Sequence, residues 1–429
     1  TSAAASTEAA AESVVSAPTA LSFVFADGDD TFKTQMNKIV DDFNASQDEI
    51  EIKAEYQGTY DDTITKLKAA MQSDSGLPDV CQMYDVGTKF MYDSGAVIPV
   101  EDKFESTGYD KSSVMEVISS YYTVDGKQYA MPFNVSTPML YYNKDVFEAA
   151  GLDPETPPTT YDEVLEDAKK IVESGAAPVG YSQAIYGWFF EQQLAGLGVT
   201  YGNNDNGRKE AVTAVDFDSN GGGLKVFDMW KKLYDSGYFE DYGTTTADTQ
   251  TAFFSGQVGM IIESTAILKN AVDSSPFEVG TGYLPRIEQN DEGGVIIGGG
   301  SLWLTDTGNE ANEDAAWKFI EYITTPDVQA KWSMGTGYFA INEKAYETED
   351  MKAYLKENPN FETAINQLKD SPVNCNTAGV LSGVQTEARL TFNEIMPQVY
   401  DGKLTTQDAV DQLAASVNKA IENYNESIK

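Results

Sequence analysis

The chain has 429 residues, 41% of them apolar and 11% aromatic, with 68 acidic against 29 basic side chains and a formal net charge of −39. That length exceeds one compact core and predicts two lobes of roughly 150–250 residues each, while the charge argues against nucleic acid and anionic membrane surfaces, whose phosphates need clustered Lys and Arg. No histidine occurs, which removes His-based triads, His-containing zinc sites and the commonest general base, and nothing approaches the ~18 consecutive apolar residues of a membrane span.

Residues 1–18, rich in Ala, Ser and Glu, have almost nothing to bury and are expected to form a flexible leader or stalk. They contain no basic start followed by an apolar run, so they do not read as a signal peptide. Order is predicted to begin at "ALSFVFADG", where Leu21, Phe23, Val24 and Phe25 suit a strand buried on both faces. Phe32, Met36, Ile39, Val40 and Phe43 recur at helical spacing, and "EIEIKAEY" alternates as a strand with Tyr56 at its C-terminal end. A helix through Ile64, Leu67 and Met71 leads to a strand, "PDVCQMYD", ending in Asp85. This β-α-β-α-β order predicts a parallel sheet with ligands off the carboxyl ends of its strands, where Tyr56 and Asp85 lie.

"MPFNVSTPMLYYNKDVF" places a polar, proline-braced corner at Ser136, Thr137 and Pro138 ahead of a short apolar strand. It reads either as an ordinary turn or as a crossover between lobes that presents Ser136 to a cleft. Amphipathic helices are expected over 161–174 and 223–236, with "YGNNDNGRKEAV" between them as a surface loop. "GQVGMIIES" reads as a strand ending at Glu263 and Ser264. In "GGVIIGGGSLWLT" the Gly298–Gly300 triplet interrupts an apolar strand, a pattern that marks a bulge or a close approach of ligand or backbone. No Gly-Lys-Ser/Thr follows it, so it is no phosphate loop. Beyond about residue 311 the chain is mainly helical, with Pro326 at a helix start, Gly335 and Gly337 at its end, and a terminal stripe of Val410, Leu413, Val417, Ile421 and Tyr424. Cys81 and Cys375 sit beside apolar residues and read as buried free thiols rather than a disulfide framework.

The polar and aromatic groups at element ends are Tyr56, Tyr60, Tyr84, Asp85, Ser136, Trp188, Ser264, Gly298–Gly300 and Tyr338. Sugar sites use this mixture, because aromatic faces stack on C–H surfaces while carboxylates and amides take the hydroxyls. Each aromatic could equally serve as core; for Trp188 in "YGWFF" the alternative is a buried anchor.

Several blocks, in register from about residue 20 to the C-terminus, carry a family resemblance: "YQGTYDDTITKLKAAMQSDSGLPDVCQMYDVGTKFMYDSGAVIPVEDKF", "MPFNVSTPMLYYNKDVFEAAGLDPETPPTTYDEV", "VIIGGGSLWLT" and "TTPDVQAKWSMGTGYFAINEKAYE". The chain resembles the extracellular solute-binding proteins of ABC importers, and within them the glycerol-3-phosphate-binding branch. The resemblance implies an α/β, two-lobed periplasmic-binding-protein-like fold whose hinge segments close over a ligand. It places lobe one at 19–132 plus 300–338 and lobe two at 133–299 plus 339–429. It implies capture of a small molecule, delivery to membrane permease subunits, no catalysis, no cofactor or metal and a monomeric chain. It also implies a place on the extracellular face, lipid-anchored through a stalk, or in the periplasm.

Residue by residue, Tyr56, Ser136, Trp188, Ser264, Gly300 and Tyr338 fall on the family's pocket positions. Asp85 stands where that branch has Glu, and Gly299 adjoins the main chain expected to approach ligand. Two departures bear on the ligand: Ile185 replaces a tryptophan, and Leu381 replaces the arginine that meets the phosphate. Arg389 is the nearest residue that could substitute. A dianionic phosphate in a closed cleft needs charge-assisted partners, so the expected ligand is a neutral mono- or oligosaccharide. Glycerol-3-phosphate or a glycerophosphodiester is the alternative. The rival classes are a glycosidase using two acids about 5–10 Å apart and a cell-surface adhesin.

Overall fold

A computed structural model of the chain describes residues 17–26, 30–73 and 76–429. The leader expected over 1–18 lies almost wholly outside the described residues.

Two sheets organise the molecule. The first runs in the order Ile50–Tyr56, Thr19–Phe25, Val80–Tyr84, Gly298–Thr305, Val97–Ile98, with Met131–Ser136 also paired to Gly298–Thr305. The second runs Val279–Gly282, Pro138–Asn143, Val258–Ser264, Val179–Ser182. The helix Asp30–Ser46 buries the five residues whose spacing predicts it, Phe32, Met36, Ile39, Val40 and Phe43. Thr19–Phe25 pairs in parallel with Ile50–Tyr56 and with Val80–Tyr84, as the β-α-β order predicts.

The rest of the first sheet departs from the all-parallel expectation. Gly298–Thr305 pairs antiparallel with Val80–Tyr84, with Val97–Ile98 and with Met131–Ser136. The reason is topological. The chain leaves the first sheet along Met131–Ser136 and re-enters it along Gly298–Thr305, so exit and return run in opposite directions past the same boundary.

Exit and return fix the corner singled out in the sequence. Ser136 is the last residue of a first-sheet strand and Pro138 the first of a second-sheet strand. Thr137 between them is fully buried; its N–H donates to Thr265 Oγ1 and its carbonyl accepts from Thr265 N. The corner is therefore a crossover whose backbone groups are satisfied from the neighbouring strand end.

Three local expectations need correction. The segment 203–208 is an anchored structure and no free surface loop. Asn204, Asp205 and Asn206 adopt left-handed backbone angles, and buried Asn206 accepts from Tyr201 N and Gly202 N while donating to Cys375 O. The Arg208 guanidinium donates to the carbonyls of Tyr121, Ala378 and Gly379. Cys375, part of this contact, is half-buried, whereas Cys81 is fully buried. Gly335 lies inside the helix Pro326–Thr336, which Gly337 alone ends, at φ 96°.

Candidate ligand-binding site

A cavity of about 950 Å³ opens between the two sheets, off the C-terminal ends of Val80–Tyr84 and Val258–Ser264. The first-sheet side supplies Thr59, Tyr60, Asp61, Tyr84 and Asp85. The other side supplies Tyr186, Trp188, Gln250, Glu263, Ser264 and Arg389. The connecting strands and loops supply Ser136, Gly298, Gly299, Thr336 and Tyr338.

Local folding explains these placements. Thr59 caps the helix Tyr60–Met71 in a box with Asp62, which sets Tyr60 and Asp61 at the helix start facing the cleft. Tyr60 and Tyr84 stack at 4.8 Å with their planes 10° apart, and Tyr84 Oη shares a hydrogen bond of 2.5 Å with Thr386 Oγ1 across the cleft. Gly299 has φ 90°, and a Cβ there would lie 1.8 Å from the Asn134 carbonyl, so only glycine fits this bulge between Gly299 and Ser301. Gly298 lies against the edge of Trp188, where an added Cβ would come 2.7 Å from Cζ2.

Of the residues singled out in the sequence, Tyr60, Tyr84, Asp85, Ser136, Trp188, Ser264, Gly298, Gly299 and Tyr338 line this cavity together. Tyr56 does not. It is 42% exposed and packs edge-on against Phe25, with Lys33 Nζ 4.9 Å from its ring centroid. It belongs to an edge strand, so its ring is drawn to the helix beside that strand rather than to the cleft. Gly300 also stands off the lining, one layer behind: a Cβ there would meet Asn134 Oδ1 at 2.6 Å and Tyr60 Oη at 3.2 Å. Trp188 is both wall and core. It is 5% exposed, packs with Tyr186 and Phe189, and its Nε1 has no hydrogen-bond partner among the described residues. Ile185 and Leu381, which the resemblance implies as departures from the family pattern, are buried and do not line the cavity.

The electrostatics of the site rest on residues that sequence reasoning weighed little or missed. Among the described lining residues, Arg389 alone is a cation. Its Nη2 donates to Asp85 Oδ2 at 2.9 Å and to Glu191 Oε2 at 2.7 Å, and its Nε donates to Glu191 Oε1 at 2.8 Å. Burial works against the guanidinium's charge, but Glu191 and Asp85 overcome it and hold the group protonated, well above its usual range. Glu263 is 4% exposed and has no cationic partner among the described residues; burial pushes its carboxyl up to about 7, partly opposed by hydrogen bonds from Gln250 Nε2 and Ser264 N. Neither Glu191 nor Glu263 stood out in sequence, because a lone Glu in an apolar stretch carries no spacing signal. The threonine run Thr244–Thr246, which also lines the cavity, was equally silent.

The profile of the bacterial extracellular solute-binding proteins matches residues 38–363. The chain belongs to this family. As a solute-binding protein of an ABC importer, it is 30% identical over 402 residues to the sn-glycerol-3-phosphate-binding periplasmic protein UgpB of Escherichia coli K12, covering 92% of this chain and 91% of that one. Among solved structures, it is similar to the cyclic alpha-maltosyl-1,6-maltose binding protein of Arthrobacter globiformis, with TM-score 0.78 and 25% identity over 95% of this chain and 100% of that one. It is also similar to UgpB of Mycobacterium tuberculosis in complex with glycerophosphocholine, with TM-score 0.79 and 20% identity over 96% and 99%. The family's solute-binding proteins work in transport, outside the cytoplasmic membrane. In this one, no helix among the described residues is long and apolar enough to cross a membrane.

Proposed function

We propose that this solute-binding protein captures a neutral carbohydrate, a mono- or oligosaccharide, between its lobes and delivers it to the permease without chemical change. The observation that carries this reading is the pairing of Arg389. The cavity's one cationic side chain among the described residues is already paired with two carboxylates, while Asp61 and Glu263 add further acid to the walls. A phosphate dianion would enter a site with no free positive charge. A sugar would meet aromatic rings at Tyr60, Tyr84, Tyr186, Trp188 and Tyr338, and hydrogen-bonding groups at Asp85, Ser136, Gln250 and Ser264. The likeness to the maltosyl-maltose-binding protein supports the same ligand class.

A glycerophosphodiester or glycerol-3-phosphate is the second reading, favoured by the 30% identity to glycerol-3-phosphate-binding proteins over nearly the whole chain. The lobes, 19–132 plus 300–338 and 133–299 plus 339–429, are proposed to close by hinge motion around the crossover strands. The chain is further proposed to act as a lipid-tethered monomer, which a net charge of −39 favours through self-repulsion. A thermal-shift screen of sugars, glycerol-3-phosphate and glycerophosphodiesters tests the ligand class. Ligand at ~100 times its Kd adds about 2.7 kcal/mol of stability. Stabilisation by glycerol-3-phosphate and by no sugar would overturn the carbohydrate reading.

A further inference from the structure

Glu191 reaches Arg389 because two helices approach unusually closely. Gly187 opens the helix Gly187–Gly196, and a Cβ there would lie 2.5 Å from Arg389 Cα on the helix Gln385–Tyr400. The Gly187 N–H donates to Asn393 Oδ1 at 2.9 Å, locking the approach. Glu191 lies four residues on, on the same helix face as Gly187. It is 6% exposed, and its Oε1 accepts from both Arg389 Nε and Gln385 Nε2. Glu191 is not itself among the lining residues. Asp85 meets the same guanidinium from the opposite side of the cleft. Three of the five guanidinium N–H groups are thereby committed to carboxylates, leaving Nη1 for a ligand. The group made by Asp85, Arg389 and Glu191 carries one net negative charge.

We propose that Glu191 is a specificity-determining positioning residue: by pairing Arg389 from behind the wall, it discharges the cavity's cation and makes the site refuse anionic solutes. The inference rests on the carbohydrate reading and gives it a cause. An arginine in a cleft ordinarily recruits carboxylate or phosphate. Here that capacity is present but outweighed, so the ligand meets a hydrogen-bond donor held in a group of one net negative charge. Removing one carboxylate would return the local sum to zero, and removing both would leave a free cation aimed at the cleft.

The test uses the full chain, Glu191→Gln, Asp85→Asn and the double variant, titrated calorimetrically with sn-glycerol 3-phosphate and with glycerol at neutral pH. Glutamine keeps an oxygen to accept from Arg389 Nε, and circular dichroism checks that each variant is folded. Glu191→Gln is expected to bind sn-glycerol 3-phosphate at least about tenfold more tightly than the parent with glycerol unchanged, and the double variant is expected to bind the anion tighter again. If Glu191→Gln does not fold, Asp85→Asn, which frees the same guanidinium from the opposite side of the cleft, carries the expected gain for the anion. Folded variants with no gain for the anion would overturn the proposal, and a sugar found by the screen would leave the carbohydrate reading standing beside that failure. Tight binding of sn-glycerol 3-phosphate by the parent would instead overturn both. An equal gain for glycerol would also overturn the proposal, since it would show a loosened cavity rather than an unmasked charge.

Discussion

The molecule contains three arginines, and two of them, Arg208 and Arg389, sit in regions that solve one problem in opposite ways. Around Arg208 the partners are carbonyls of Tyr121, Ala378 and Gly379. Carbonyl dipoles satisfy the donors but leave the charge uncancelled, and burial pulls the guanidinium down to about 10. Around Arg389 the partners are the carboxylates of Asp85 and Glu191, which hold the proton firmly and cancel the charge. The first arrangement ties the 203–208 segment to two distant stretches of chain. The second sits on a cavity wall and settles which ligand charge the wall tolerates. The residue type is the same; the partner decides the role.

The contrast is broken most severely at Arg389. Arg389→Met would leave Asp85 and Glu191 buried without a counter-charge, and we expect a loss of about 3–5 kcal/mol of folding free energy at neutral pH. The loss should shrink as the pH falls and the stranded carboxylates protonate; urea unfolding at two pH values measures both effects. A loss independent of pH would mean that the side chain acts by packing rather than by charge.

Arg208→Met should cost less, about 2–4 kcal/mol, because it strands neutral carbonyl groups. This loss should be nearly constant across the acid range and should leave ligand selectivity untouched. Denaturant midpoints together with the ligand screen read both, and a changed selectivity would deny the purely structural role given to Arg208.

Glu263 sharpens the comparison as a buried carboxyl that accepts from Gln250 Nε2 and Ser264 N and has no cationic partner among the described residues. Its carboxyl lies at about 7 in the folded chain, above the ordinary value of 4.5. The stability it contributes is therefore fully present below about 4.5 and lost as the pH rises through about 7. Glu263→Gln should abolish that dependence and, at pH ~8, exceed the parent by up to about 3 kcal/mol, with no advantage at pH ~4. A stability difference between parent and variant that does not change with pH would show that the Glu263 carboxyl titrates alike in the folded and the unfolded chain.

Much of the architecture was legible from short-range pattern. Phe32, Met36, Ile39, Val40 and Phe43 announce a helix, Ile50 and Ile52 a half-buried strand, and Ser136–Pro138 a polar corner, because periodicity and turn chemistry are properties of neighbours in sequence. The block resemblance carried the two-lobed fold, and strand-end position brought Asp85 to the cavity. Tyr56 shows the limit of the same rule: strand-end position fixes where a residue begins, while the neighbouring helix decides where its ring turns.

By itself the sequence determined the family, the two α/β lobes, an acidic chain without histidine, and glycine at 299, where the backbone accepts no side chain. Only the tertiary structure decided that Arg208 and Arg389 differ, that Glu263 is buried against neutral donors, and that Glu191 pairs Arg389. Those outcomes depend on contacts such as Glu191 with Arg389, 198 residues apart, and Asp85 with Arg389, 304 apart. An ionisable group's behaviour is set by burial and by which charge stands within a few ångströms. Neither quantity is a local property of the chain.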